Sequence, residues 1–401
     1  MTAHLDGAPS RLPRRGVAPV LPGRARCPIP GSMTGPRYTE LVADLPATVP
    51  FVGPETQERD SGRGFRARLG ANESAFGPSP KAIAAMEAGA AEVWKYGDAQ
   101  SFALRQALAA SLGVGAQNVM VGEGIDGLLG YLVRMLVAPG DAVVTSDGAY
   151  PTFAYHVSGF GGVLHKVPYR DDREDPEALI AKARETGAKL VYLSNPDNPM
   201  GTRHDAAIVQ RMIEAVPDGT LMVLDEAYLE FAPEDTAPAI DPDDPRVIRL
   251  RTFSKAHGMA GARVGYAIGA APLIDAFNKI RNHFGMCRIS QAGALAALED
   301  GAWLAHVQAS VAAGRDRIAA IAAANGLAAL PSATNFVAID CGGDGAFARR
   351  VLNGLVARAV FVRMPGVAPL DRCIRVSVGL EHELDVFEAA LPEALAAARA
   401  G

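Results

Sequence analysis

Residues Arg251–Tyr266 read RTFSKAHGMAGARVGY. Lys255 stands here between an apolar, alternating run, RVIRLRTFS, and three glycines, Gly258, Gly261 and Gly265. The run has the period of a strand, and the glycines interrupt regular structure. A solvated lysine needs neither neighbour. A lysine held at a sheet edge beside Thr252 and Ser254 can act as a reactive amine.

Outward from this stretch, strand-like and helix-like segments alternate. SFALRQALAASLGV, IDGLLGYLVRMLV and DAAIVQRMIEAV space their apolar residues by three and four, as helices do. NVMVGEG, DAVVTSDG, GGVLHKVPY, KLVYLSN, LMVLDEAY, VIRLRTFSK and RVGYAIG are short, β-branched and bounded by turn residues, as strands are. Seven strands with helices between them imply an α/β fold with a mostly parallel sheet. Beyond Ala271 the pattern turns helical and Ala-rich to about Leu330. The tail then offers TNFVAID, GAFARRVLNGLVARA, FVRM, IRVSVG and a closing helix, a smaller α+β unit.

Composition narrows the function classes. The 401 residues suffice for about two domains. A net charge of −5 gives no reason to expect nucleic acid or a membrane surface. No apolar run reaches the ~18 residues of a spanning helix. Cys27, Cys287, Cys341 and Cys373 are scattered, which suggests neither a disulfide framework nor a zinc site and fits a reducing cytoplasm. Residues 1–36, rich in Pro, Gly and Arg, read as a disordered extension, with Met33 as an alternative start and a targeting segment as another alternative.

Ligands of parallel sheets bind beyond the carboxyl ends of the strands, and polar residues gather there. GEGIDG, Gly122–Gly127, has the GxGxxG spacing of a phosphate-binding turn, although a plain tight turn uses it equally. DGAYPTF puts Tyr150 where an aromatic can stack on a planar ligand or simply fill the core. NPDNPMGT fixes the amide of Asn198 in a rigid turn. DEAYLEF ends an apolar strand with Asp225 and Glu226, costly there unless a cation, a cap or a ring nitrogen answers them. Arg263 can clamp a phosphate. A phosphate cradle, a stacking ring, an amide, a carboxylate and an amine together match pyridoxal 5′-phosphate, which needs a Schiff-base lysine and an acidic partner for its ring nitrogen.

On SNPDNPMGT, LDEAYLEF and TFSKAHGMAGARVGY the chain resembles the fold-type I, class I/II aminotransferases that use this cofactor. LGANESAFGPSP, KYGDAQSFALRQALA, GEGIDGLL, PSATNFVAI, VFVRMPG and CIRVSVG resemble the histidinol-phosphate aminotransferases in particular, from about Leu69 to Gly379. The resemblance implies roles. Lys255 binds the cofactor aldehyde and moves a proton. Asp225 keeps the ring nitrogen protonated. Asn198 and Tyr228 bond the ring hydroxyl, and Tyr150 stacks. The backbone around Gly124, Ile125 and Asp126, with Thr252, Ser254 and Arg263, holds the phosphate. Tyr96 reaches the site of a neighbouring subunit, which implies a homodimer with shared sites. Arg375, Arg363, Asn335 and Phe76 face the substrate.

It also implies an N-terminal arm with part of a small domain over 37–92, a large domain over 93–312 and a small domain over 313–401. The expected reaction is ping-pong transfer from histidinol phosphate or an aromatic amino acid to a 2-oxo acid such as 2-oxoglutarate. A threonine-phosphate type decarboxylase is the alternative; a cofactor-sensing module and a dinucleotide oxidoreductase are remoter ones. Against the family pattern, Phe76 replaces a tyrosine, GIDG replaces GSDE, and His257 replaces a phenylalanine. IRNHFGMCRISQAG brings His283, Phe284 and Cys287 toward the expected substrate mouth. Phe76 and Phe284 would suit an apolar or aromatic donor.

Overall fold

The computed structural model describes residues 35–47 and 52–400. The expected disorder of 1–36, and Met33 as a start, thus fall outside the described residues except at 35 and 36. The seven expected strands are all present: β1 (Val119–Gly122), β2 (Ala142–Ser146), β3 (Val163–Val167), β4 (Leu190–Ser194), β5 (Leu221–Asp225), β6 (Val247–Thr252) and β7 (Gly265–Ile268). They form one sheet in the order β1-β7-β6-β5-β4-β2-β3. All neighbours are parallel except β7, which runs antiparallel to both β1 and β6.

Burial explains the composition of these strands. Every residue of β1, β4, β5 and β7 is buried, because helices cover both faces of a parallel sheet. The helix Gly124–Leu136 turns Leu128, Leu129, Leu132 and Val133 inward. Each such side chain contributes about 1.5–3 kcal/mol on burial, as an upper estimate.

The reversed direction of β7 brings distant parts of the chain together. Gly122 and Thr252 are both register partners of Gly265, so the ends of β1 and β6 and the start of β7 lie in one row. Residues more than a hundred positions apart meet at one rim. The opposite rim carries the turns that enter β2, β4 and β5, at Gly140, Gly187 and Gly219. A Cβ at any of these three would meet nothing within 4 Å.

The tail forms its own antiparallel sheet from Ala328–Ala329, Phe336–Asp340 and Cys373–Ser377, as its sequence leads one to expect. A two-residue parallel pair, Ala67–Arg68 with Val360–Phe361, ties the N-terminal part to this region. The helix Glu381–Ala400 closes the chain. No helix among the described residues is long and apolar enough to cross a membrane.

Candidate active site

A cavity of about 670 Å³ opens along the strand-end rim and is walled on its far side by the tail. Ile125, Asp126, Tyr150, Asn198, Asp225, Tyr228, Thr252, Ser254, Lys255, Arg263, Arg363 and Arg375 all line it. The sequence segments that singled out these residues therefore converge on one space.

The floor comes from β5. Two adjacent carboxylates follow it and meet different fates. Glu226 is answered by Arg251 at 2.8 Å and Arg249 at 3.3 Å, all three buried or nearly so. Asp225 has no arginine or lysine within ion-pair reach among the described residues. It accepts from the Tyr192 hydroxyl at 2.7 Å and from the Ala227 amide at 3.0 Å. Burial raises its carboxyl to about 6, against the pull of those two bonds. Asp225 is thus the carboxylate left to meet a cationic group of a ligand.

Lys255 follows β6 through Phe253 and Ser254. Its Nζ donates to the carbonyl of Asn72 at 3.0 Å and lies 5.6 Å from the centre of the Tyr228 ring. Burial, and secondarily the positive charge of Arg375, lowers the amine to about 8. Asn72 also donates to the Tyr228 hydroxyl at 3.1 Å, and Asn198 donates to the same oxygen at 3.4 Å. Burial lifts that phenol to about 12.

An anion seat lies at the row shared by β1, β6 and β7. Ile125 and Asp126 begin the helix Gly124–Leu136, whose first amides have no partner within the helix. Thr252 donates to Ser254 Oγ at 2.9 Å, and Arg263 Nη1 donates to the same oxygen at 3.4 Å. Arg263 holds a left-handed backbone, φ 54°, which folds it back over the seat. Gly124 has φ 74°, which favours glycine, and a Cβ there would fall 2.3 Å from Arg263 Nη2 and push that guanidinium aside. Asp126 lies 3.6 Å from that guanidinium and accepts from Tyr150 at 3.0 Å.

Two arginines wall the other end. Arg363 and Arg375 exchange backbone hydrogen bonds, the Arg375 amide to the Arg363 carbonyl at 2.6 Å and the reverse at 3.2 Å. Arg375 reaches Asn198 Oδ1 at 2.6 Å and Gly70 O at 3.2 Å. Its Nε, and Oδ1 of Asn335, are buried without a hydrogen-bond partner among the described residues. Of the two residues, Arg375 lines the cavity, where a ligand can complete its bonding. Asn335 itself does not line the cavity; its amide holds the carbonyls of Asn72 and Glu73 at 3.1 and 3.2 Å.

Some expected residues lie elsewhere. Phe76 packs on the core with its ring edge to His306, at 6.4 Å, rather than lining the cavity. Tyr96 is 77% exposed and leans on Phe284, with ring centres 4.8 Å apart. His283, Phe284 and Cys287 lie on this exposed surface rather than lining the cavity of their own chain. His257 is buried against Phe253 and driven down to about 4 by burial, a structural placement.

The sequence reading missed Asn72, which aligns Lys255, and Tyr192, which supports Asp225. Val223, two residues before Asp225, is the register partner of Tyr192, so Tyr192 and Asp225 point to one face of the sheet, a relation that appears only once the strands are paired. Asn72 also has φ 56°, a region that asparagine tolerates better than most residues.

Known proteins are similar to this chain in sequence and fold. The family model for aminotransferases of class I and II matches residues 67–391. A histidinol-phosphate aminotransferase of Moorella thermoacetica is 32% identical over 367 residues, 90% of this chain and 94% of the relative. One from Anaeromyxobacter sp. is 36% identical over 362 residues, covering 89% and 98%. The crystal structure of histidinol-phosphate aminotransferase from Sinorhizobium meliloti in complex with pyridoxal-5′-phosphate is 53% identical and matches with a TM-score of 0.88, over 90% of this chain and 98% of that one.

Proposed function

The chain belongs to the class I and II aminotransferases, and from that premise we propose that it moves the amino group of histidinol phosphate to a 2-oxo acid such as 2-oxoglutarate in two half-reactions. It is a pyridoxal 5′-phosphate enzyme of the histidinol-phosphate aminotransferase type. The cofactor supplies an aldehyde that takes up an amine and a ring that withdraws electrons from the substrate carbon. One observation carries the proposal: a single cavity gathers Lys255, Asp225, Arg263 and Arg375.

The residues divide the work by position. Lys255, with its amine lowered to about 8, reaches the neutral, nucleophilic form far more readily near neutral pH than an ordinary lysine, and can serve as a base for the substrate's α-proton. Asp225 steadies a protonated ring nitrogen. Asn198 and Tyr228 would direct hydrogen bonds at the ring hydroxyl, and Tyr150 would stack against the ring. Ile125, Asp126, Ser254 and Arg263 surround the phosphate, with Gly124 leaving room and Thr252 orienting Ser254. Arg375, with Arg363 beside it, takes the donor's phosphate and then the acceptor's carboxylate, while Asn335, set back from the cavity, holds the carbonyls of Asn72 and Glu73. Both substrates present an anion, which is why one guanidinium can serve two half-reactions.

Tyr96 would act in the site of a second copy. Its exposure supports this, together with its neighbours Val93, Trp94 and Phe284, exposed by 55%, 77% and 55%. An apolar group of this kind suits a homodimer face. We place the domain limits at 37–92, 93–312 and 313–401; the separate sheets support a large and a small unit, with the limit at 312 falling inside the helix Gly301–Ala324. A reducing cytoplasm is the location we propose, in keeping with the free thiols of Cys287, Cys341 and Cys373.

The test is an absorbance titration of the purified enzyme with histidinol phosphate, phenylalanine, tyrosine, histidine, glutamate and threonine phosphate. Histidinol phosphate should convert the lysine-bound form to the amine form of the cofactor, and 2-oxoglutarate should reverse it. Conversion by phenylalanine alone would assign an aromatic donor instead, and release of carbon dioxide from threonine phosphate would assign decarboxylation.

A further inference from the structure

One carboxylate of the cavity takes no part in holding the cofactor or the substrate's anion. Glu73 lines the space beside Lys255 and is exposed to it. Its backbone is anchored: Asn335 donates to the carbonyls of Asn72 and Glu73, and Lys255 donates to that of Asn72. Its side chain has no hydrogen bond or ion pair among the described residues. The negative charge is felt at Lys255, where it opposes the lowering of the amine. The other acids of the cavity are answered. Asp126 faces Arg263 and Tyr150, and Asp225 is bonded to Tyr192 and Ala227. Lys166, also at the wall, is paired with Asp147 at 3.0 Å.

The charge map of the cavity is therefore lopsided. Arg263, Arg363 and Arg375 provide for two anionic groups. Glu73 adds one acceptor-only group on the wall near the Lys255 amine. A hydrocarbon ring placed against it would strip water from a carboxylate and return no hydrogen bond. A ring bearing N–H would return a charge-assisted one.

We propose that Glu73 is a specificity residue, selecting donors whose side chain presents an N–H, an imidazole above all, over donors with a hydrocarbon ring. The assignment rests on the aminotransferase reading of the same site. It concerns which ring is chosen, and Arg375 is left to hold the anion common to all donors.

Binding of unreactive probes tests it without turnover. Imidazole-4-propionate and 3-phenylpropionate share the carboxylate that Arg375 would take and differ in the ring. Calorimetry on the holoenzyme should show the imidazole probe bound about tenfold or more tighter, the ratio that one hydrogen bond to a charged group supplies. Glu73→Ala should erase that preference, and Glu73→Gln, which keeps an acceptor oxygen, should retain part of it. The ratio of kcat/KM for histidinol phosphate to that for phenylalanine should fall with it. Equal binding of the two probes by the wild-type enzyme would overturn the proposal. So would a preference that survives in Glu73→Ala, or a loss that is equal for both rings and marks an effect on Lys255 alone. A probe preference in an enzyme that converts no donor would instead fail the reaction and leave the ring selection standing.

Discussion

Replacing Tyr192 by phenylalanine isolates the one side-chain hydrogen bond that supports Asp225. The ring would keep its stack on Phe153, where centres lie 4.7 Å apart at 17°, and only the 2.7 Å bond to Oδ2 would go. A hydrogen bond to a charged group contributes roughly 1.5–3 kcal/mol. At about 1.4 kcal/mol per pKa unit, its loss should lift the carboxyl by ~1–2 units, from about 6 in the free protein. Burial already holds this pKa above the ordinary range. Between the ordinary value and about 6, the folded protein keeps a proton that the unfolded chain has released, so stability falls as pH rises through that window. Tyr192→Phe should extend the window upward by the same ~1–2 units. Pairing with a protonated ring nitrogen needs the ionised carboxylate. The acid limb of cofactor affinity, followed by fluorescence titration of the apoenzyme across pH, should therefore move up by that amount. An unmoved acid limb, with normal folding by circular dichroism, would refute the view that Tyr192 stabilises the charged form.

Four further outcomes are expected from the geometry. The rate at which apoenzyme captures cofactor should rise with pH and level off above about 8, since only the neutral Lys255 amine attacks; stopped-flow absorbance at several pH values checks this, and Lys255→Ala should abolish both capture and turnover. Arg375→Lys removes a guanidinium engaged with Asn198 and Gly70 and should lower kcat/KM for both half-reactions by about 30–1000-fold, the range for a buried charge contact of ~2–4 kcal/mol. Gly258→Ala puts a Cβ 2.1 Å from the Gly77 carbonyl at φ +66° and should cost about 1–3 kcal/mol or more in urea denaturation. Mixing inactive Lys255→Ala with weakened Tyr96→Ala should restore activity if subunits share sites, because one hybrid site then carries both intact residues; no recovery would place Tyr96 outside the partner's site.

What could be read in advance came from chemistry at strand ends. The seven strands were legible because each is a short β-branched run closed by turn residues. Asp225, Asn198, Lys255 and Arg263 were legible because polar groups at such ends demand an explanation. The reversal of β7 was not, since RVGYAIG has the same composition whichever way it runs. The pair Ala67–Arg68 with Val360–Phe361 is too short to leave a period. Which of Asp225 and Glu226 faces the ligand depended on Arg249 and Arg251, two strand residues whose inward direction appears only once β5 and β6 are paired. Tyr192 was hidden because an aromatic in a buried strand looks like core until its hydroxyl has a partner. Phe76 matched a family position, yet in one chain it belongs to the packing around His306.

The two rims of the main sheet differ in what they forbid. Along one, Gly124, Lys255 and Arg263 are held by contacts of a few ångströms, and a single added methyl group at Gly124 would displace the Arg263 guanidinium. Along the other, Gly140, Gly187 and Gly219 turn in open space. Inserted residues, an affinity tag or new chain termini should be tolerated there, with the fold intact and the chemistry some four to six residues of strand away. The same sheet is thus an intolerant instrument on one edge and a handle on the other.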